Sequence, residues 1–244
     1  MNQIIEKDGL VPAARYSDGS YLAANPDWHS GDAPWKFSHL HKLVDAAGVR
    51  PIRIAEVGCG AGACLDLMQA HYRGSTADGY ELSPQALALC AKRAREGLSF
   101  HQQSAFEANQ HYDLAMAIDV IEHVDDPFAF ARGMGRISDY QLFNIPLDMN
   151  VVALLREWPI LEARTEVGHI HYFTRRTAMA LLEECGLRAV QWKYAPWALE
   201  QEGGTWRRSV VNLPRRLGYS LAPDAAVRIL GGWSLMILTQ TRHD

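Results

Sequence analysis

The chain reads as an α/β protein built on a largely parallel sheet covered by helices. Three observations point there. From about residue 40 onward, short β-like runs alternate with stretches of helical periodicity. A glycine-rich turn, Gly58, Gly60 and Gly62 in "IAEVGCGAGA", follows the first of those runs and precedes a helical one. The 244 residues, 48% of them hydrophobic, suffice for one substantial core, so a single domain is expected.

In chain order, a first helix is expected over Phe37–Ala47, followed by strand Arg53–Val57, the glycine turn and helix Ala63–His71. Strand Thr76–Glu81 then leads to helix Pro84–Glu96, which Ser83 caps ahead of a proline suited to the first helical position. Strands Leu98–His101 and Leu114–Ile118 follow, and Asp126 with Pro127 repeats the cap-then-proline signal for helix Pro127–Met134. After strand Tyr140–Ile145 comes helix Arg175–Cys185, bracketed by Thr174 as N-cap and Gly186 as the glycine beyond its C-terminus. Strands Ala189–Tyr194 and Ser234–Thr241 bring the count to seven. The first forty residues and the stretches Leu147–Gly168 and Pro196–Gly232 read as irregular, the places where a rigid scaffold carries specificity.

Composition narrows the function classes. A net charge of −4 with no long basic run argues against generic duplex nucleic-acid binding. The N-terminus lacks an apolar signal core and no run approaches a membrane span, so a cytoplasmic location is expected. Cys59, Cys64, Cys90 and Cys185 form no CxxC pair, which fits a reduced compartment rather than a disulfide or zinc framework.

The glycine turn places backbone N–H groups and the start of a helix where a ligand can approach closely. Glu81 ends the next strand about 20 residues on, where a carboxylate can accept hydrogen bonds from both hydroxyls of a ribose. On these residues the chain resembles the class I S-adenosylmethionine (SAM) dependent methyltransferases, with "EVGCGAG" and "YELS" as the matching motifs over roughly residues 40–195. The resemblance implies a Rossmann-like fold with an antiparallel last strand. It also implies a SAM site of Glu56 near the methionine amino end, Gly58, Cys59, Gly60 and Gly62 in the turn, Glu81 at the ribose with Leu82 next to it, and Asp119 at the end of the fourth strand. Ser104 beside Ala105 stands where the family most often has Asp-Ala for the adenine amino group, a departure from the pattern. The Gly-x-Gly-x-Gly spacing differs from the Gly-x-Gly-x-x-Gly of dinucleotide-binding proteins.

In such a fold the fourth strand ends beside the sulfonium, so "IDVIEHVDDP" would line the floor between cofactor and acceptor. Asp119, Glu122 and His123, related as i, i+3 and i+4, can share one side of a helical turn. His123 suits general-base work because its unperturbed pKa lies near neutrality. The same three residues resemble the divalent-cation site of ubiquinone-pathway O-methyltransferases and small-RNA 2′-O-methyltransferases, which have Glu where this chain has Asp119. That resemblance implies Mg or Mn as an additional cofactor. Many methyltransferases of this fold carry "EHV" without a metal, and in them these residues shape the pocket. In "GHIHYFT", an extended segment puts His169 and His171 on one side, as bases, acceptor contacts or additional cation ligands.

Trp28, His29, Trp35, Lys36, His39 and His41 crowd the segment before the first core helix, which is expected over the cofactor as a lid. Arg207, Arg208, Arg215, Arg216 and Arg228 mark the segment before the last strand. They suit an anionic acceptor, a solvated face, or a homodimer contact through Val210, Val211 and Leu213. The expected organisation is one domain: an N-terminal lid over 1–44, a SAM-binding core over 45–195 with an acceptor cap at 147–168, an insertion at 196–232 and a last strand at 233–241. The expected activity is methyl transfer to a small-molecule acceptor, foremost a hydroxyl on a sugar or glycosylated metabolite. N-methylation, a non-catalytic SAM-binding regulator and an NAD-dependent oxidoreductase are the alternatives.

Overall fold

The computed structural model describes residues 25–28, 30–200 and 212–242. Seven strands form one sheet: β1 (Arg53–Val57), β2 (Thr76–Tyr80), β3 (Leu98–His101), β4 (Tyr112–Ile118), β5 (Ser138–Pro146), β6 (Leu187–Ala195) and β7 (Ser234–Thr241). Their spatial order is β3-β2-β1-β4-β5-β7-β6, with β7 antiparallel to both neighbours and the other pairings parallel. From β1 the chain builds outward to β2 and β3, then crosses back to lay β4 on the opposite side. The crevice at such a reversal, beyond the carboxyl ends of the strands, is where open α/β sheets bind ligands.

The central strands are apolar on both faces because helices cover both faces. Successive residues of β1 serve opposite layers. Ile54 packs with Leu40, Leu65 and Met68 on one side, and Ala55 belongs with Phe130, Met134 and Phe143 on the other. Leu40, Leu65 and Met68 are fully enclosed, each contributing roughly 2 kcal/mol by removal from water.

Ten α-helices are described: α1 (Ala33–Ala46), α2 (Ala63–His71), α3 (Pro84–Cys90), α4 (Pro127–Ile137), α5 (Val151–Arg156), α6 (Trp158–Glu162), α7 (Arg175–Glu184), α8 (Trp197–Glu200), α9 (Leu213–Leu221) and α10 (Pro223–Leu230). The three cap signals are realised: Ser83 Oγ, Asp126 Oδ1 and Thr174 Oγ1 accept from the backbone N–H three residues on. Thr177 returns the bond to complete a capping box.

The departures from expectation are local. Helix α3 stops at Cys90 rather than Glu96, because Arg95 and Leu98 exchange backbone hydrogen bonds in a tight reversal that draws the chain straight into β3. Helix α4 continues past Met134 to Ile137 and contains Gly133 and Gly135; a Cβ on Gly133 would lie 2.8 Å from the ring of Phe106. Close packing therefore accounts for a glycine that costs helix propensity. Helix α1 starts at Ala33, with Pro34 in its first turn. The stretches read as irregular contain α5, α6 and a π-helical turn (Ala163–Val167), and then α8, α9 and α10. These helices are short and interrupted by Pro159, Pro214 and Pro223, so no long apolar period announces them. Among the described residues no helix is long and apolar enough to cross a membrane.

Candidate active site

At the carboxyl end of β1 the chain turns through Gly58, Gly60 and Gly62, with φ of +69°, +53° and +74°. Side chains rarely adopt that left-handed region. Gly58 and Cys59 both donate to the Tyr80 carbonyl, which ties the turn to the end of β2. Glu81, next in the chain, accepts from Gly60 N–H at 2.9 Å through one oxygen and from Ser83 N–H at 2.9 Å through the other. Burial pushes its carboxyl up, and the Ser83 and Gly60 bonds work against that rise. Leu82 stands 69% exposed beside it, on the wall of a cavity. Ser104 lines the same cavity, its Oγ occupied by the N–H of Phe106, and Ala105 packs beneath it.

Glu56 lies under the turn, buried, with one carboxylate oxygen lacking any partner. Burial pushes its carboxyl up to about 8, against a backbone bond from Leu65 and the attraction of Lys36. A buried acid in this condition is matched by a cationic ligand.

The cluster after β4 divides. Asp119 sits at the strand end with φ +56°, and its carboxylate meets Lys36 Nζ at 2.7 Å and the amide of Asn144. Glu122 and His123 lie in the next turn and face elsewhere. His123 Nδ1 is 3.0 Å from the Gly168 carbonyl, and His169 Nδ1 is 2.6 Å from Asp148 Oδ2. A carbonyl and a carboxylate can only accept, so each Nδ1 carries a proton, and Nε2 is the nitrogen of each ring that can exchange one. Those nitrogens lie 3.8 and 3.9 Å from Glu122 Oε1. Glu122 is fully buried with neither oxygen bonded, and burial, then Asp119 and Asp148, push its carboxyl well up.

The expected trio of Asp119, Glu122 and His123 is therefore corrected. Residue 119 is in left-handed backbone at a strand end, not in a helical turn, so its carboxylate is directed to Lys36. The ligand-bearing atoms that converge within 4.8 Å belong to Glu122, His123 and His169. The pairing of His169 with His171 is corrected as well. Ile170 and His171 both donate their N–H to the Glu122 carbonyl, so the chain curls there instead of running extended. Only His169 lines the cavity; His171 does not, and its Nε2 is buried without a partner.

Trp28, Trp35 and Lys36 of the expected lid line the cavity, and a Cβ on Gly60 would lie 2.7 Å from the Trp28 ring. His39 lies outside it, held between Glu200 and Lys193, and His41 pairs with Asp45. His29, Arg207, Arg208, Val210 and Val211 lie outside the described residues. The cavity measures about 1170 Å³. That is at or beyond the upper range of pockets for one small molecule.

Residues 34–191 match the family model described as a methyltransferase domain, well over half of the 244 residues. The chain belongs to the class I methyltransferase family. A curated relative, the ubiquinone biosynthesis O-methyltransferase of Sodalis glossinidius, is 31% identical over 102 residues, covering 39% of this chain and 40% of the relative. The chain thus spans about two fifths of that relative's length. Two solved methyltransferases share the fold at 15% identity. The magnesium protoporphyrin IX methyltransferase of Synechocystis PCC 6803 has a TM-score of 0.58, covering 89% of this chain and 86% of its own. The N-methyltransferase NodS of Bradyrhizobium japonicum WM9 has a TM-score of 0.57, with 93% and 100% covered.

Sequence reasoning passed over several residues of this methyltransferase's cavity. Asn144, Asp148 and Asn150 fall in "FNIPLDMN" at the end of β5, the strand beside β4. The polar residues that interrupt this apolar stretch just past a central strand were the available signal. Gln103, Arg156 and Trp158 also line the cavity and carried no local pattern.

Proposed function

We propose that this methyltransferase transfers a methyl group from SAM to a hydroxyl of a small-molecule acceptor, with a sugar or glycosylated metabolite as the favoured class. The observation that carries the reading is the pair of imidazoles, His123 and His169, on the cavity wall, each holding a proton on Nδ1 and bringing Nε2 to within 4 Å of the buried Glu122 carboxyl.

The residues present fit the cofactor. The partnerless oxygen of Glu56 suits the methionine ammonium, Glu81 at the end of β2 suits the ribose hydroxyls, and exposed Leu82 offers an apolar face for the adenine. Gly58, Cys59, Gly60 and Gly62 form the turn around it, with Ser104 and Ala105 at the far edge. Lys36, held by Asp119, brings a cation to the same half. When bound, SAM supplies an electrophilic methyl on sulfur: the C–S bond breaks as the acceptor's C–O bond forms. The chain's residues do the remainder. The hydroxyl proton passes to the imidazole of His123 or His169, and Gly168 and Asp148 stabilise the ring that receives it through Nδ1. The lid tryptophans exclude water.

Glu122, His123 and His169 also fit a divalent cation such as Mg or Mn, since both Glu122 oxygens lack partners. Such an ion would polarise an acceptor oxygen. The test is calorimetric binding of S-adenosylhomocysteine, the demethylated cofactor, followed by labelled-methyl transfer to matched panels of hydroxyl and amine acceptors. Transfer to hydroxyls, reduced on changing His123 or His169 to Ala, supports the reading. Transfer to amines alone would replace it with N-methylation. Loss of activity on chelation, restored by Mg or Mn, would favour the cation over the free base.

A further inference from the structure

The cavity wall contributed by α5, α9 and the start of β7 presents hydrogen-bond donors without matching acceptors. Arg215 is held in place by its own chain: Nε donates to the Gly231 carbonyl at 3.0 Å, Nη1 to Asn212 Oδ1 at 3.0 Å and Nη2 to the Leu230 carbonyl at 3.3 Å. None of these acceptors is charged. The guanidinium is therefore oriented but not neutralised, with N–H groups left over. Arg156, at the end of α5, lines the same cavity, and burial together with that second cation lowers the pKa of Arg215. Among the described residues neither arginine has a carboxylate within ion-pair distance, although Glu162 and Glu166 line the cavity too.

A third donor belongs to the same cavity. Trp233 is 3% exposed, lines the cavity, and has its indole N–H buried without a partner. Indole nitrogen can only donate, and a buried donor left unpaired costs about 1–3 kcal/mol. Trp233 follows directly on Gly231 and Gly232, the segment to which Arg215 is anchored. Two cations with no carboxylate partner among the described residues and one orphaned donor line the same cavity, and one set of anionic oxygens would serve all three.

We infer that Arg156, Arg215 and the Trp233 indole N–H form an anion subsite that receives a phosphate or carboxylate group carried by the methyl acceptor. The inference rests on the methyltransferase reading and narrows it: the acceptor carries its methylated hydroxyl and its negative charge on one molecule. The cavity's volume accommodates such an acceptor beside the cofactor.

Two substitutions test the subsite without removing a bond of the fold. Arg156 is exposed and its side chain makes no hydrogen bond among the described residues, and Trp233→Phe deletes the N–H while keeping a ring for the stack on Tyr219. Phenyl phosphate, benzoate and uncharged benzyl alcohol are titrated calorimetrically into the protein saturated with S-adenosylhomocysteine. At least one anion is expected to bind, about tenfold or more tighter than benzyl alcohol, and to weaken about tenfold in Arg156→Gln and in Trp233→Phe. Whichever of phenyl phosphate and benzoate binds tighter identifies the group. Equal affinity for charged and neutral probes, no anion binding, or anion affinity unchanged in both variants would overturn the inference. The S-adenosylhomocysteine titration separates the two readings. Cofactor binding without anion binding defeats the subsite alone, and absent cofactor binding defeats the methyltransferase reading itself.

Discussion

Lys36 and Asp119 join the first helix to the end of the fourth strand through an ion pair of 2.7 Å, with the lysine side chain only 15% exposed. Burial disfavours the ammonium, but the attraction and hydrogen bond of Asp119, joined by Asp32, outweigh it and raise its pKa above the ordinary lysine range. A lysine raised in this way stabilises the fold at every pH below its unfolded value and loses that contribution only as the solution becomes strongly alkaline. A double-mutant cycle of Lys36→Met and Asp119→Asn, read by thermal or urea unfolding, is expected to give a coupling of about 1–3 kcal/mol at neutral pH. Additive single effects would show that the pair contributes nothing.

Glu81 accepts N–H bonds from Gly60 and Ser83, so it organises the glycine turn, and the proposed function assigns the same carboxylate to the ribose. Glu81→Ala is expected to weaken S-adenosylhomocysteine by about a hundredfold, on the order of 3 kcal/mol for two charge-assisted bonds. Calorimetry at matched salt measures it, and unchanged affinity would remove Glu81 from the cofactor site.

Glu56 gives a pH dependence with a definite sign. Its carboxyl is raised to about 8 from 4.5, so folding stability attributable to it is highest below pH 4.5 and declines as pH rises towards 8. An ammonium bound against it would favour the carboxylate, so cofactor binding near pH 7 is expected to release close to one proton from this group. Titrations in buffers of different ionisation enthalpy count that proton. In Glu56→Gln the release should vanish, and apo stability at pH 8–9 should rise relative to the unchanged protein.

Asp148 Oδ2 lies 2.6 Å from His169 Nδ1, accepts its hydrogen bond, and so makes Nε2 the nitrogen that can exchange a proton with an acceptor. Asp148→Asn is expected to lower turnover by about ten- to a hundredfold while leaving the affinity for S-adenosylhomocysteine unchanged. A matching loss of cofactor affinity would instead mean that the substitution disturbs the fold of the site.

The glycine-turn half of the cavity was legible because its chemistry is local. Gly58 to Gly62 need left-handed backbone, Glu81 follows a strand by a fixed spacing, and Ser83, Asp126 and Thr174 cap helices through atoms three residues away. The oxidoreductase alternative, weighed on glycine spacing, gives way to the family match across residues 34–191. The histidine-lined half was legible only in parts. His169 was a candidate, but that it meets His123 while His171 turns out of the cavity depends on two N–H groups converging on the Glu122 carbonyl.

From the residues alone follow the seven-stranded α/β sheet, the glycine turn with its acidic partners, and the histidine-bearing segments that border the chemistry. Tertiary packing decides the rest: that Asp119 belongs to Lys36, that Glu122, His123 and His169 form one cluster, and that Arg156, Arg215 and Trp233 line one cavity. The difference is one of range. Caps, turns and strand-end carboxylates act within a few bonds or one strand pairing, so their signals are written in spacing. Contacts between residues 46 or 59 positions apart carry no periodicity, and they exist only once the sheet has brought its loops to one edge.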